Sequence, residues 1–208
     1  MRRFEIIAVG LATVALSLLA DASGQTARSG NDGLRTEKVE VRIDHATIAG
    51  DDPMAVIDPV WWKATIYDGP AAYEQSLQPF SRPQRLVWAM LWYDAEVNNG
   101  GHEQFYSNNT GIVWRDALEG FEAIGLPEAA AIIRESAQRL GGSPSLDRHE
   151  RERQLLKLAP SFDDLDERYG MEEAHVRAKM MEYIRGRPEA FFFSGIVEKP
   201  IFSKPRSR

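Results

Sequence analysis

Four side chains able to carry protons or ligate a metal crowd one short stretch: Asp94, Glu96, His102 and Glu103. Acids and a histidine at this density could act in general acid–base catalysis or hold a divalent cation. Their spacing argues against both. Asp94 and Glu96 are two residues apart, which on a helix of 3.6 residues per turn separates them by about 200°. His102 lacks the second histidine four positions on that a helical zinc site uses. His45, His149 and His175 lie in polar surroundings without ligand spacing. The chain has no cysteine, which removes thiolate ligands, cysteine nucleophiles and disulfides together. No phosphate-binding glycine loop or nucleophile elbow occurs. The expectation is a protein that is not an enzyme, with no catalytic residue, no metal ligand and no cofactor. A small metal-assisted hydrolase using Glu96, His102 and Glu103 is the last alternative.

The same stretch reads differently as backbone. Glu96-Val97-Asn98-Asn99-Gly100-Gly101 is followed by Gln104-Phe105-Tyr106, Asn108 and Gly111. Asn and Gly reach left-handed conformations, and a double glycine lets one helix stop and another start. On one reading the amides satisfy open backbone groups at two helix ends, Gly100 takes the positive φ, and Phe105 and Tyr106 are core. On the other, the loop is a recognition surface, with Asn98, Asn99, Gln104 and Tyr106 as first contacts.

The elements that must position this stretch are helical. A helix over 57–67 carries Trp61, Trp62 and Ile66, and a short one follows over 70–77. Ser81 is the N-cap of a long apolar helix with Pro83 in its first turn. Its apolar side is Leu86, Val87, Met90, Leu91 and Val97, with Trp88, Trp92 and Glu96 as an adjoining stripe, so it is the central helix. Helices are expected over 112–124, ended by Gly125, over 128–140, ended by Gly141 and Gly142, and over 147–158. Ser161 caps a helix over 162–169 that Gly170 breaks, a last long helix spans 172–185, and 188–193 docks back as one turn. The fold class is all-α, a compact single-domain bundle of about eight short helices.

The ends differ in character. Met1-Arg2-Arg3, an apolar run from Ile6 to Ala20, and Ala20-Asp21-Ala22 have the layout of a cleaved export signal over 1–22, with an uncleaved N-terminal anchor as the alternative. The protein is therefore expected to be exported, periplasmic or secreted, without stable membrane insertion if the signal is cleaved. Residues 23–52 read as a polar linker or edge, although Val39 to Ile43 alternates like one short strand without a partner. The helical domain spans 53–194, and 195–208 is a basic, frayed tail. The sequence has 208 residues, 43% of them hydrophobic, and a net charge of −6. That is globular and acidic, which disfavours direct nucleic-acid binding.

Tyr67-Asp68-Gly69-Pro70, Trp88 and Trp92, the run from Glu96 to Asn108, then Gly111 and Ala123-Ile124-Gly125 together resemble the bacterial DNA-mimic-like family. The resemblance covers about 59–193 and implies a helical domain of mostly unknown function. Its best-known member is an acidic protein that binds a transcription factor in place of DNA. His102 stands where that family usually has Phe, which weakens any family-wide catalytic role for it.

A DNA mimic needs a dense, one-sided array of carboxylates. Over 59–193 there are 21 acidic against 15 basic residues. The candidate acidic face is Asp163, Asp164, Asp166, Glu167, Glu172 and Glu173, which read equally as a solvated helix start favoured by the helix dipole. The helix containing Arg148, Arg151 and Arg153 is expected to blunt its field. The sequence reading is thus a non-catalytic, exported domain acting by protein–protein interaction with a basic protein partner. The alternative is a cytoplasmic DNA-mimic regulator.

Overall fold

The computed structural model describes residues 35–201, apart from the side chains of residues 173 and 174. The expected signal over 1–22, residues 23–34 of the expected linker and the tail from 202 lie outside the described residues. One compact unit starts at Thr36.

Its first element corrects the linker reading. Thr36–Ile43 forms strand β1, antiparallel to β2, Phe193–Pro200. Val39 lies opposite Val197 and Ile43 opposite Phe193, so the alternation in β1 sets one apolar face against the helices. Ile43 and Val197 are buried. The fold is therefore mainly helical with a small two-stranded sheet, and residues 193–200 are an ordered strand rather than part of a frayed tail.

Three short helices follow: α1 (His45–Ile48), α2 (Pro53–Val56) and α3 (Asp58–Lys63). Asp44 and Asp52 cap the first two through their carboxylates. Then come α4 (Gly69–Leu77) and α5 (Arg82–Ser107). After a 3-10 turn over Asn109–Val113 the chain continues as α6 (Trp114–Ala123), α7 (Pro127–Arg139) and α8 (Arg148–Leu158). The last helix, α9, runs Asp163–Arg185 without a break at Gly170, so the two helices expected there are one. A 3-10 turn over Pro188–Phe191 leads into β2.

The centre of the bundle is α5, as its wide apolar surface predicts. Its start is a capping box. Gln84 N donates to Ser81 Oγ, and Ser81 N donates to Gln84 Oε1, which satisfies two amides that a helix end leaves open. Trp88, Met90 and Tyr93 are fully buried among residues of α4, α6 and α9.

Candidate functional site

The double glycine bends α5 rather than ending it. Gly100 (φ −156°, ψ 23°) and Gly101 (φ 73°, ψ −175°) are non-helical, and helix resumes to Ser107. The left-handed residue is Gly101, not Gly100. A Cβ on Gly101 would lie 2.3 Å from Asp166 Oδ2, and one on Gly100 would lie 2.1 Å from Gln104 Oε1. Both positions are crowded by a neighbouring side chain, and Gly101 alone is also restricted by its φ.

Two carboxylates brace the bend. On one side Glu96, 5% exposed, accepts at Oε2 from Gln104 Nε2 (2.7 Å) and Asn108 Nδ2 (3.0 Å). The carboxylate before the bend is thereby tied to two amides after it. On the other side Asp166 of α9 accepts from His102 N at 2.9 Å and also from His102 Nδ1. A carboxylate can only accept, so Nδ1 carries the ring proton. Nε2 lies 2.6 Å from Tyr93 Oη, so both ring nitrogens are engaged and the ring orientation is fixed. His102 is fully buried against Tyr93 and Phe162, aromatic surroundings that suit the position. Burial pushes the Tyr93 phenol well above its ordinary pKa.

The four residues that could do chemistry are thereby separated. Asp94 accepts from Tyr169 Oη and Asn98 Nδ2, Glu96 serves the two amides, His102 lies inside, and Glu103 is exposed. Among the described residues no group of three His, Asp or Glu side chains could hold a metal ion. Within the recognition-loop reading, Asn98 and Asn99 are exposed. Tyr106 is not a surface residue: it is fully buried with Phe105, and its hydroxyl is 2.8 Å from Ser136 Oγ.

Sequence reasoning missed Arg151. It is fully buried and binds no carboxylate. Its guanidinium donates to the carbonyls of Tyr106 (2.6 Å), Asn108 (2.6 Å), Ser145 (2.7 Å) and Leu146 (3.3 Å). It closes the C-terminus of α5 by filling the carbonyls that a helix end leaves open. Burial lowers its pKa to about 10. Gly111 is glycine because a Cβ there would lie 2.4 Å from Arg151 Nε. The one available signal was that glycine, since Arg151 sits in a run of charged residues that reads as solvated.

The six acids of α9 do not form one face. Asp164 is clamped by Arg139, with two bonds of 2.6 and 2.7 Å, and the clamp lowers its pKa to about 2. Arg168 on the same side reaches Glu128 at 2.6 Å and Glu135 at 2.8 Å. Asp166 turns inward to His102. Asp163 and Glu167 are exposed, Glu172 is half-buried, and the Glu173 side chain lies outside the described residues. The counter-charges come from Arg139 and Arg168, not from α8. There Arg148 and Arg153 pair with Glu152 and Glu150 of their own helix, and Arg151 is buried.

A second buried carboxylate, Asp116, is 8% exposed. It accepts from Arg82 at 2.6 Å and Tyr73 Oη at 2.5 Å, with Arg85 at 3.6 Å. Along the stripe that leads from Arg85 to Glu96, three buried donors have no acceptor: Arg85 Nε, Trp88 Nε1 and Trp92 Nε1. Trp92 stacks on Trp61 with centroids 4.4 Å apart.

No curated protein and no solved structure matches the chain. The family model described as DMP19-like protein matches residues 78–187, more than half of the chain, including the whole of the bend, Arg151 and α9. The chain belongs to this DNA-mimic-like family.

Proposed function

We propose that this domain binds a DNA-binding protein in the place of DNA, through carboxylates around the bend of α5 and the start of α9. This is the alternative of the sequence reading, and family membership favours it over a generic acidic face. The observation that carries it is the disposition of Asp163, Glu167 and Glu103. All three are exposed, and no cation forms an ion pair with them among the described residues. They flank Asp166, which faces the bend. Uncompensated carboxylates on one side of a rigid support are what a phosphate-binding surface would accept. The opposite side of α9, where Arg139 neutralises Asp164 and Arg168 pairs with Glu128 and Glu135 of α7, has no comparable field.

Reversing Asp163, Glu167 and Glu103 to Lys together tests this. Capture from the native host with the unaltered chain is expected to retain a DNA-binding protein in low salt and release it as salt rises, and the triple variant is expected to retain none. Equal retention by the variant would refute the surface. A second reading, an exported domain with a basic partner outside the cytoplasm, is favoured by the basic and apolar layout of residues 1–22. Mass spectrometry of the mature N-terminus separates the two. An intact Met1 in the cytoplasmic fraction supports the DNA-binding partner, and cleavage after Ala22 supports the exported one. Neither reading assigns an enzymatic activity or a cofactor.

A further inference from the structure

Strand β1 has one side to spare. Among the described residues the sheet has two strands, β1 and β2, so each carries an edge from which alternate N–H and C=O groups point away from its neighbour. β2 is held by α3. Lys63 Nζ donates to the Ile196 carbonyl at 3.2 Å, and Lys199 bonds both carboxylate oxygens of Asp58 at 2.8 Å. β1 has no such cover. Among the described residues no backbone group of 36–43 hydrogen-bonds to backbone outside the β1–β2 ladder. Thr36, Glu37, Lys38, Glu40 and Arg42 are exposed, and Val39 and Val41 are half-buried.

The residues along this edge decide what fits it. Charges on an edge strand deter pairing where like charges would meet. On its solvent side β1 carries Lys38, Glu40 and Arg42, alternating in sign, while Val41 and Ile43 pack against the core. Among the described residues Lys38 and Glu40 form no ion pair, and Arg42 forms an exposed one with Asp44 at 3.4 Å. Two copies keep their helices on one side of a joined sheet when odd-numbered residues oppose odd-numbered ones across a two-fold axis normal to it. Centred on Glu40, Lys38 meets Arg42 and the copies repel. Centred on Val39, Lys38 meets Glu40, but Glu37 is set against Val41 on the apolar row. Centred on Val41, Glu40 meets Arg42 twice, Val39 meets Ile43 twice and Val41 meets its own counterpart.

We infer that a second copy of this chain pairs with β1 along its open edge, antiparallel and centred on Val41, joining two small sheets into one of four strands. The complementarity is that of β1 with itself, which favours a copy of the chain over an unrelated strand. β1 lies outside the span 78–187 that the family model matches, and the pairing does not depend on the partner proposed above. A single strand pair is a small interface, so the dimer is weak and concentration-dependent.

Sedimentation of the full chain from about micromolar to about millimolar protein tests this. A monomer–dimer equilibrium is expected within that range, with amide shifts of the 15N-labelled chain on association concentrated at residues 39–43. Arg42→Glu sets like charges opposite each other twice and should weaken the dimer about tenfold or more. The Arg42 side chain is 77% exposed, so the melting temperature of this variant should match the parent's. Adding Glu40→Arg restores opposite charges in the register centred on Val41, and the double variant should dimerise like the parent. In the register centred on Val39 the double variant would instead set Lys38 against an arginine. A monomer throughout, a dimer indifferent to Arg42→Glu, or a double variant that stays weak would each overturn the pairing.

Discussion

Two buried carboxylates reach α5 from opposite ends and are treated in opposite ways. Asp116 approaches its first turn, where Arg82 and Arg85 supply positive charge and Tyr73 a short hydrogen bond. Burial, and then the Asp116 field, push the Tyr73 phenol far above its ordinary pKa. That carboxylate is compensated: its donors and its counter-charge come from within the fold. Glu96, more buried still, is given two neutral amides and no cation. Burial alone therefore does not tell the two acids apart. What distinguishes them is whether the fold supplies the counter-charge.

The largest expected effect breaks the first member of the pair. Asp116→Asn removes the buried carboxylate and leaves Arg82 and Arg85 only their exposed partners Glu119 and Glu74, and chemical denaturation should register a loss of about 3 kcal/mol, as for a partly buried ion pair deprived of one partner. Next comes the bend that carries Glu96. Gly101→Val forces a β-branched residue to positive φ and into Asp166, for a loss of about 2 kcal/mol or more. Gly100→Ala should cost about 1 kcal/mol, because its φ is negative and only the flexible end of Gln104 must move. Glu96→Gln sharpens the contrast directly. It removes a charge that has no partner inside the fold, so stability should stay within about 1 kcal/mol of the parent. A loss as large as that of Asp116→Asn would mean that Glu96 has an internal counter-ion after all.

The smallest effect concerns α9, where the same contrast recurs along one helix. Asp164 is paired with Arg139, and its folded pKa, about 2, lies below the ordinary 3.8. A carboxyl with a depressed folded pKa contributes stability that is fully present above its unfolded pKa and is lost as pH falls through the folded one. The contribution should therefore vanish between about pH 4 and pH 2. Glu135, held down first by Arg168 and then by Arg139, acts in the same direction. Because these groups are exposed the slope is small. Arg139→Ala should flatten it in denaturation curves taken across that range, whereas reversal of Glu167 should leave it unchanged.

Much of the helical frame was legible. Ser81 and Pro83 mark the start of α5, Gly125 and Gly141 mark ends, and Asp147 caps α8, all through chemistry confined to a few neighbouring residues. The sheet was not legible, because β1 and β2 pair across some 150 residues and neither strand predicts the other by periodicity. Gly170 misled because an exposed glycine inside a well-packed helix costs about 1 kcal/mol and does not by itself end it. At the candidate site, the separation of Asp94 from Glu96 followed from helical geometry alone. The Tyr93–His102–Asp166 chain and the carbonyl cage of Arg151 did not, since each joins elements distant in sequence. The acids of α9 could be named but not sorted. Which of them is neutralised depends on Arg139, and thus on how α7 packs beside α9.

The most direct measurement is competition between this chain and duplex DNA for the protein it captures. Mutually exclusive binding is the predicted result: added duplex DNA releases the captured protein from the chain, added chain releases it from DNA, and both complexes weaken as salt rises. A stable ternary complex of chain, captured protein and duplex would contradict occupation of the DNA-binding surface.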